Sequence, residues 1–335
     1  MRRYHLLDHG AIANLVCKDV RMPEPAHDEV IVAIRAVSLN ARDLMMVFGP
    51  SPYGPKPGIV PVSDGAGEIV RCGSQVETRN VGDRVVLPFR PGWLDGPLQA
   101  RSTATDLGGA VDGVLSEYVA IKAQAVVPIP SAMTFESAAT LPCAGVTAWT
   151  ALRLGAALKQ GDSVLVLGTG GVSIFALQIA KAFGCQVIAT TSADAKAERL
   201  QALGVDIVFN YTAEPEWDRA VLEATNGRGV DRIVEVGGAG TLPRSMACLA
   251  PQGEIALVGL LDNPLNTISP LPLMRKMGVL RGISVGSRAH LAELVDFAAA
   301  NFDPVIDQVF PFDEAPEAFA YLASRQHFGK VVIRI

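Results

Sequence analysis

The segment Val164-Leu165-Val166-Leu167-Gly168-Thr169-Gly170-Gly171-Val172-Ser173 carries an apolar, β-like run into a glycine turn and then into a helix-like stretch. Residues of these types at this spacing hold phosphate. Gly168 permits a tight turn, and Gly170 lets the backbone approach a pyrophosphate. The helix that opens with Gly171 and Val172 offers free N–H groups and a partial positive charge. The third position of the usual G-x-G-x-x-G pattern is Ser173, small enough to keep helix and strand close beside Ala176 and Ala180. A lone glycine triplet is weak, because such turns also serve as plain corners. This one follows a strand, opens a helix and starts a longer alternation, so a bound dinucleotide is expected.

The end of the next β-like run reads Thr190-Thr191-Ser192, with Lys196 four residues beyond Ser192. An NAD site usually places Asp or Glu there, to accept from the ribose 2′-hydroxyl. Hydroxyls and a lysine suit a 2′-phosphate, so NADPH (NADP) is expected in preference to NADH. The plainer alternative makes Lys196 a solvated helix residue.

The elements that must position these residues follow from periodicity. Six strand-like runs, 163–167, 186–190, 207–209, 231–236, 254–258 and 279–285, alternate with helix-like runs and predict a doubly wound parallel sheet. Gly237, Gly259, Val285 and Ser287 end or follow strands at the carboxyl edge, where an open sheet binds its ligand. Ahead of this region, short runs at 29–37, 65–71, 85–87, 116–121 and 125–129 predict a barrel-like β domain. The glycine- and proline-rich stretch 89–113, which contains Trp93, is long enough to place near a cleft. After 287 the pattern switches back to helix, strand, helix and strand. The tail is expected to rejoin the first domain, giving 1–131 with 287–335 around an inserted domain at 132–286.

At 335 residues two domains are expected. A composition 49% hydrophobic and 19% charged describes a globular α/β enzyme. The net charge of −5, without a basic run, gives no reason to expect a nucleic-acid partner. The N-terminus lacks the apolar core of a signal peptide. The apolar stretch 164–180 is broken by glycines and reads as a βα unit, so no membrane association is expected and a cytoplasmic protein is. The five cysteines are dispersed, with no Cys-x-x-Cys pair, and the five histidines show no ligand spacing.

Further motifs extend the pattern: Ser38-Leu39-Asn40-Ala41-Arg42-Asp43-Leu44, Pro61-Val62-Ser63-Asp64-Gly65-Ala66-Gly67, Val81-Gly82-Asp83-Arg84-Val85, Leu141-Pro142-Cys143-Ala144-Gly145-Val146-Thr147-Ala148-Trp149 and Phe328-Gly329-Lys330-Val331-Val332. With the glycine turn, they make the chain resemble, over nearly its whole length, the medium-chain dehydrogenase/reductase superfamily, and in it the zinc-free quinone-oxidoreductase-like branch. The resemblance implies an α/β fold, a GroES-like β-barrel domain plus a doubly wound six-stranded Rossmann domain.

Zinc alcohol dehydrogenases of that superfamily carry a cysteine where this chain has Asn40. Their Gly-His-Glu aligns with Val62-Ser63-Asp64, and their four-cysteine lobe falls in 89–113, which has no cysteine. The resemblance therefore implies a zinc-free mechanism. It also places Asn40, Asp43, Thr147 and Lys330 near the nicotinamide ribose and Tyr211 by the adenosine phosphate. Candidate donors to a substrate oxyanion are Asn40, Tyr53 and Ser63. The run 279–285 is apolar and free of proline, and lies where the sheet ends. A homodimer joined there is expected, and the resemblance points the same way. Three readings stay open: an NADPH-dependent quinone or enone reductase, a zinc-free alcohol dehydrogenase or ketone reductase, and a cofactor-binding structural or regulatory protein. Each acts on or binds a small molecule.

Overall fold

The computed structural model describes residues 1–49, 54, 56–259 and 268–335. The chain forms two units, Met1–Val146 with Val285–Ile335, and Thr147–Ser284.

The first unit is mainly β. Strands β1 (Arg2–Leu6) and β2 (Leu15–Asp19) form an antiparallel pair. The spine of a larger sheet is β3 (Glu29–Leu39), whose sequence EVIVAIRAVSL is buried along almost its whole length. A strand covered on both faces reads as a near-continuous apolar run, not as a clean alternation. Around it stand β4 (Asp64–Cys72), β5 (Arg84–Val86), β6 (Tyr118–Lys122) and β7 (Val127–Pro128). Helices α1 (Ala41–Phe48) and α2 (Phe135–Ala139) belong here as well; the segment 132–146, which the sequence rhythm assigned to the second domain, carries α2 against β3 and β4. The stretch 89–113 is pinned by a buried fork, in which Arg90 donates to both oxygens of Asp106 at 2.5 and 2.9 Å.

The second unit is a six-stranded, wholly parallel sheet. Its strands are β8 (Ser163–Leu167), β9 (Gln186–Thr191), β10 (Ile207–Asn210), β11 (Val230–Glu235), β12 (Leu249–Leu257) and β13 (Val279–Gly282), in the spatial order β10-β9-β8-β11-β12-β13. Strand order runs outward in opposite senses from β8 and β11, which makes their carboxyl ends the switch point where such sheets take ligands. Helices α3 (Val146–Arg153), α4 (Gly171–Ala182), α5 (Asp194–Ala202), α6 (Trp217–Ala224), α7 (Leu242–Cys248) and α8 (Leu271–Arg275) complete the unit, α3 beginning one residue before it. Ile188, Val221, Ile233 and Ile255 are among the side chains that fill the core between sheet and helices. The chain then returns to the first unit as α9 (Arg288–Asn301), β14 (Ile306–Pro311), α10 (Ala315–Ala323) and β15 (Lys330–Arg334). The last strand pairs antiparallel with β3.

Candidate functional site

At the end of β8 the backbone enters the left-handed region at Gly168 (φ +71), which glycine adopts without strain. Its N–H donates to the Thr190 carbonyl at 2.9 Å, tying the turn to β9. Gly170 is the N-cap of α4 and no side chain caps the helix. Open space surrounds the point where a Cβ on Gly168 or Gly170 would stand. An uncapped helix terminus behind an unobstructed glycine turn is the form that a pyrophosphate requires. Ser173 explains its departure from glycine: its hydroxyl donates to the Leu167 carbonyl at 2.6 Å, so the side chain stitches helix to strand.

Beside the turn, the ends of β9 and β10 are laced together. The Tyr211 N–H donates to the Thr191 carbonyl (2.9 Å), and the Thr212 hydroxyl to the Ser192 carbonyl (3.2 Å). Ser192 and Tyr211 are exposed and Lys196 is half-buried on α5. Asp194, which nothing in the local sequence pattern marks, opens α5 two residues after Ser192 and accepts from the Asn210 amide at 2.7 Å. Gly237 spends its N–H on Glu235 (2.8 Å), and a Cβ on Gly259 would collide with the Val236 carbonyl. Thr147 is buried in the first turn of α3, where its carbonyl accepts from Thr150.

The first unit gathers a buried charged cluster from β3, α1, β4, β15 and the turn before α3. Lys330 donates to the Leu39 carbonyl (2.6 Å) and to Asn40 Oδ1 (2.5 Å). Asn40 Nδ2 donates weakly to the Ser38 carbonyl at 3.4 Å. The Asn40 N–H is held by Asp43 (2.9 Å), whose other oxygen accepts from Arg42 (3.2 Å). Asp64 accepts from the Ser63 hydroxyl (2.6 Å) and the Cys143 N–H (3.0 Å). Val62, directly before Ser63, is a buried β-branched residue at φ +72, a conformation that surrounding structure must impose.

Burial dominates the electrostatics of this cluster. It pushes the Asp43 carboxyl up to about 6 against the pull of Arg42, and raises Asp64 against the pull of Lys330. The Lys330 ammonium is lowered by its burial, with Asp64 opposing. Burial, with Asp64 beside it, drives the Cys143 thiol up, so it is neutral.

The structure thus brings Asn40, Asp43, Ser63 and Lys330 together, and adds Asp64 and Cys143, which the sequence did not single out. Ser63 is a poor oxyanion donor, because it is fully buried and its proton is committed to Asp64. Tyr53 lies outside the described residues. Ser287 caps α9, accepting from the His290 N–H (3.3 Å), and Val285 turns the chain at φ +55.

Comparison with known proteins agrees with this geometry. Residues 26–131 match the alcohol dehydrogenase GroES-like domain and residues 171–300 the family described as zinc-binding dehydrogenase. A zinc-type alcohol dehydrogenase-like protein of Schizosaccharomyces pombe (strain 972) is 43% identical, over 92% of this chain and 91% of that one. The crystal structure of a putative alcohol dehydrogenase from Sinorhizobium meliloti 1021 superposes with a TM-score of 0.92 at 40% identity, covering 100% and 99% of the two chains. A mycobacterial protein solved in complex with NADPH superposes at 0.82 with 27% identity, covering 100% of both.

The zinc of that family description does not suit the residues present. Asn40 and Ser63 offer neutral amide and hydroxyl oxygens, and an ammonium already sits on the Asn40 oxygen. Among the described residues no three His, Cys, Asp or Glu side chains converge on one point. Fold, glycine turn and relatives agree: the chain belongs to the medium-chain dehydrogenase/reductase superfamily of NAD(P)-dependent oxidoreductases.

Proposed function

We propose that this protein is an NADPH-dependent oxidoreductase that works without zinc and passes hydride to a quinone, an enone or a related carbonyl-conjugated substrate. The observation that carries this reading is the Lys330 ammonium on Asn40 Oδ1, at the position that resemblance assigns to a zinc ligand. Without a metal, hydride transfer depends on positioning and on hydrogen bonds to the developing oxyanion. A quinone or enone delocalises that charge, whereas a plain ketone concentrates it on one oxygen. The Asn40 amide, backed by Lys330, is the group proposed to answer it. NADPH oxidation followed at 340 nm with a panel of quinones, enones, ketones and aldehydes tests the assignment. Turnover of quinones or enones supports it. Turnover confined to ketones or aldehydes makes the enzyme a carbonyl reductase, and turnover of none leaves a cofactor-binding protein.

NADPH is preferred to NADH because Ser192 and Tyr211 are exposed just after β9 and β10, Lys196 lies in the first turn of α5, and the mycobacterial relative is an NADPH complex. Asp194 opposes a 2′-phosphate, but the Asn210 amide engages its carboxylate. A hydrogen bond to a charged group is worth roughly 1.5–3 kcal/mol, so Lys196→Ala is expected to weaken NADPH about tenfold to a hundredfold. NADH should bind the variant as it binds wild type. Equal losses for both cofactors, measured by calorimetry, would make Lys196 a support of the fold.

The protein is further proposed to be a homodimer joined along β13, the edge of the parallel sheet. Val279 and Leu280 are exposed there, as are Leu271, Met274 and Met277 just before them. An apolar edge with unpaired backbone groups is a template for another strand. The Ile283 N–H donates to the Leu257 carbonyl, so by alternation the N–H of Leu280 points out of the sheet. Leu280→Pro removes an outward donor and leaves the ladder to β12 intact. Light scattering is expected to show a dimer for wild type and a folded 35.3 kDa monomer for the variant. A monomeric wild type, or a dimer indifferent to the proline, contradicts the assignment.

A further inference from the structure

Glu235 ends β11, next to β8 at the switch point of the sheet, and its side chain is completely buried. Four donors converge on the carboxylate. Oε1 accepts from the Gly237 N–H (2.8 Å), the Gly238 N–H (3.1 Å) and the Thr241 hydroxyl (2.5 Å), and Oε2 from the Ser245 hydroxyl (2.5 Å). The strand's own carbonyl is occupied too, accepting the Val258 N–H at 2.9 Å. The carboxylate therefore draws residues 236–241 back over the end of the strand. Gly238 adopts φ +89 to make that fold, and a Cβ on Gly237 would collide with the Thr241 hydroxyl that Glu235 holds. Both glycine N–H groups are consumed inside the protein. An anion at the switch point therefore finds its backbone donors at the turn after β8, because the Gly238 carbonyl is also engaged, by the Thr241 (3.1 Å) and Leu242 (2.8 Å) N–H groups, and only Gly237 of the pair is partly exposed.

We propose that Glu235 is a positioning residue for the dinucleotide: it sets the Gly237–Gly238 turn as one wall of the cofactor groove and keeps its own charge sealed from the phosphates. The inference rests on the dinucleotide reading above. Glutamine keeps Oε1 for the two glycines and Thr241, and places its NH₂ against Ser245, whose hydroxyl can turn to accept. Alanine removes the post and leaves two backbone donors unpaired.

The test is a fluorescence titration of the purified full-length protein with NADPH and with NADH, alongside thermal unfolding. Wild type that binds neither cofactor overturns the dinucleotide reading itself. Given binding by wild type, Glu235→Ala is expected to raise the Kd for both cofactors about tenfold to a hundredfold, while Glu235→Gln stays within about threefold. Gly238→Ala strains the same turn, at φ +89, while residue 235 stays a glutamate. It is expected to reproduce the loss, and it replaces Glu235→Ala as the test if that variant does not fold. A folded Glu235→Ala or Gly238→Ala that binds NADPH like wild type overturns the proposal, even if its unfolding temperature falls. So does a Glu235→Gln as weak as Glu235→Ala, because charge and not the held turn would then be what matters.

Discussion

Replacing Gly170 by valine is expected to raise the Kd for NADPH by roughly a hundredfold or more, with only a small change in folded stability. Two features of the position separate binding from folding. Its backbone lies in the extended region, at φ −75 and ψ 174, which valine adopts readily. Among the described residues, and apart from its own chain neighbours, nothing lies within 4 Å of the point where its Cβ would stand, so the fold meets no clash. A valine at the N-cap forgoes up to about 1 kcal/mol of helix stability, and the thermal midpoint should move by only a few degrees. The same side chain fills the space through which a pyrophosphate must approach the first N–H groups of α4. Calorimetric titration with NADPH, paired with thermal unfolding, checks both halves. Wild-type affinity would place the phosphates elsewhere, and unfolding would make the glycine structural.

Lys330→Met is expected to be severely destabilising, by about 3–5 kcal/mol, since it removes one partner of a buried ionic cluster and strands the other. The ammonium is attracted by the charge of Asp64, which is fully buried, and donates to Asn40 and to the Leu39 carbonyl. Methionine fills the volume but returns no charge, so Asp64 must bury an anion without its cation or take up a proton. The thermal midpoint should fall by on the order of 10 °C. Lys330→Met combined with Asp64→Asn should recover part of the loss, because the stranded charge disappears as well. A single variant within about 1 kcal/mol of wild type would show that the ammonium does not hold the cluster together, since surface pairs are worth that little. Additive losses in the double variant would show that Lys330 and Asp64 do not interact.

The two experiments probe features that differ in how far the sequence discloses them. The glycine turn is local: strand, turn and helix are contiguous, and 3.6-residue periodicity after a β run marks the boundary to within a residue or two. The six parallel strands were legible for the same reason, since each is a short apolar run between helices. Even Ser173, a departure in the pattern, resolves into a hydroxyl bonded to Leu167. The cluster around Lys330 is the opposite case. It joins positions 40, 43, 64, 143 and 330, which the antiparallel registers of β15 with β3 and of β3 with β4, and the Cys143 N–H bond to Asp64, bring together. Resemblance named Asn40, Asp43, Ser63 and Lys330 one by one, but the network and the burial that shifts its titration are properties of the folded chain. Glu235 was hidden in another way. A glutamate at a strand end reads as solvated until four donors are seen to close over it. Helix α1 escaped notice because ARDLMMVF, following directly on a β run, lacks the length that marks a helix.

The central claim is that this superfamily member transfers hydride from NADPH without zinc. The most direct measurement is NADPH oxidation with a quinone and with an enone by protein dialysed against a chelator, its zinc content determined on the same sample. Far less than one zinc per chain is expected, with rates unchanged by chelation or by added zinc. Stoichiometric zinc that leaves together with activity, and restores it on return, would contradict the account.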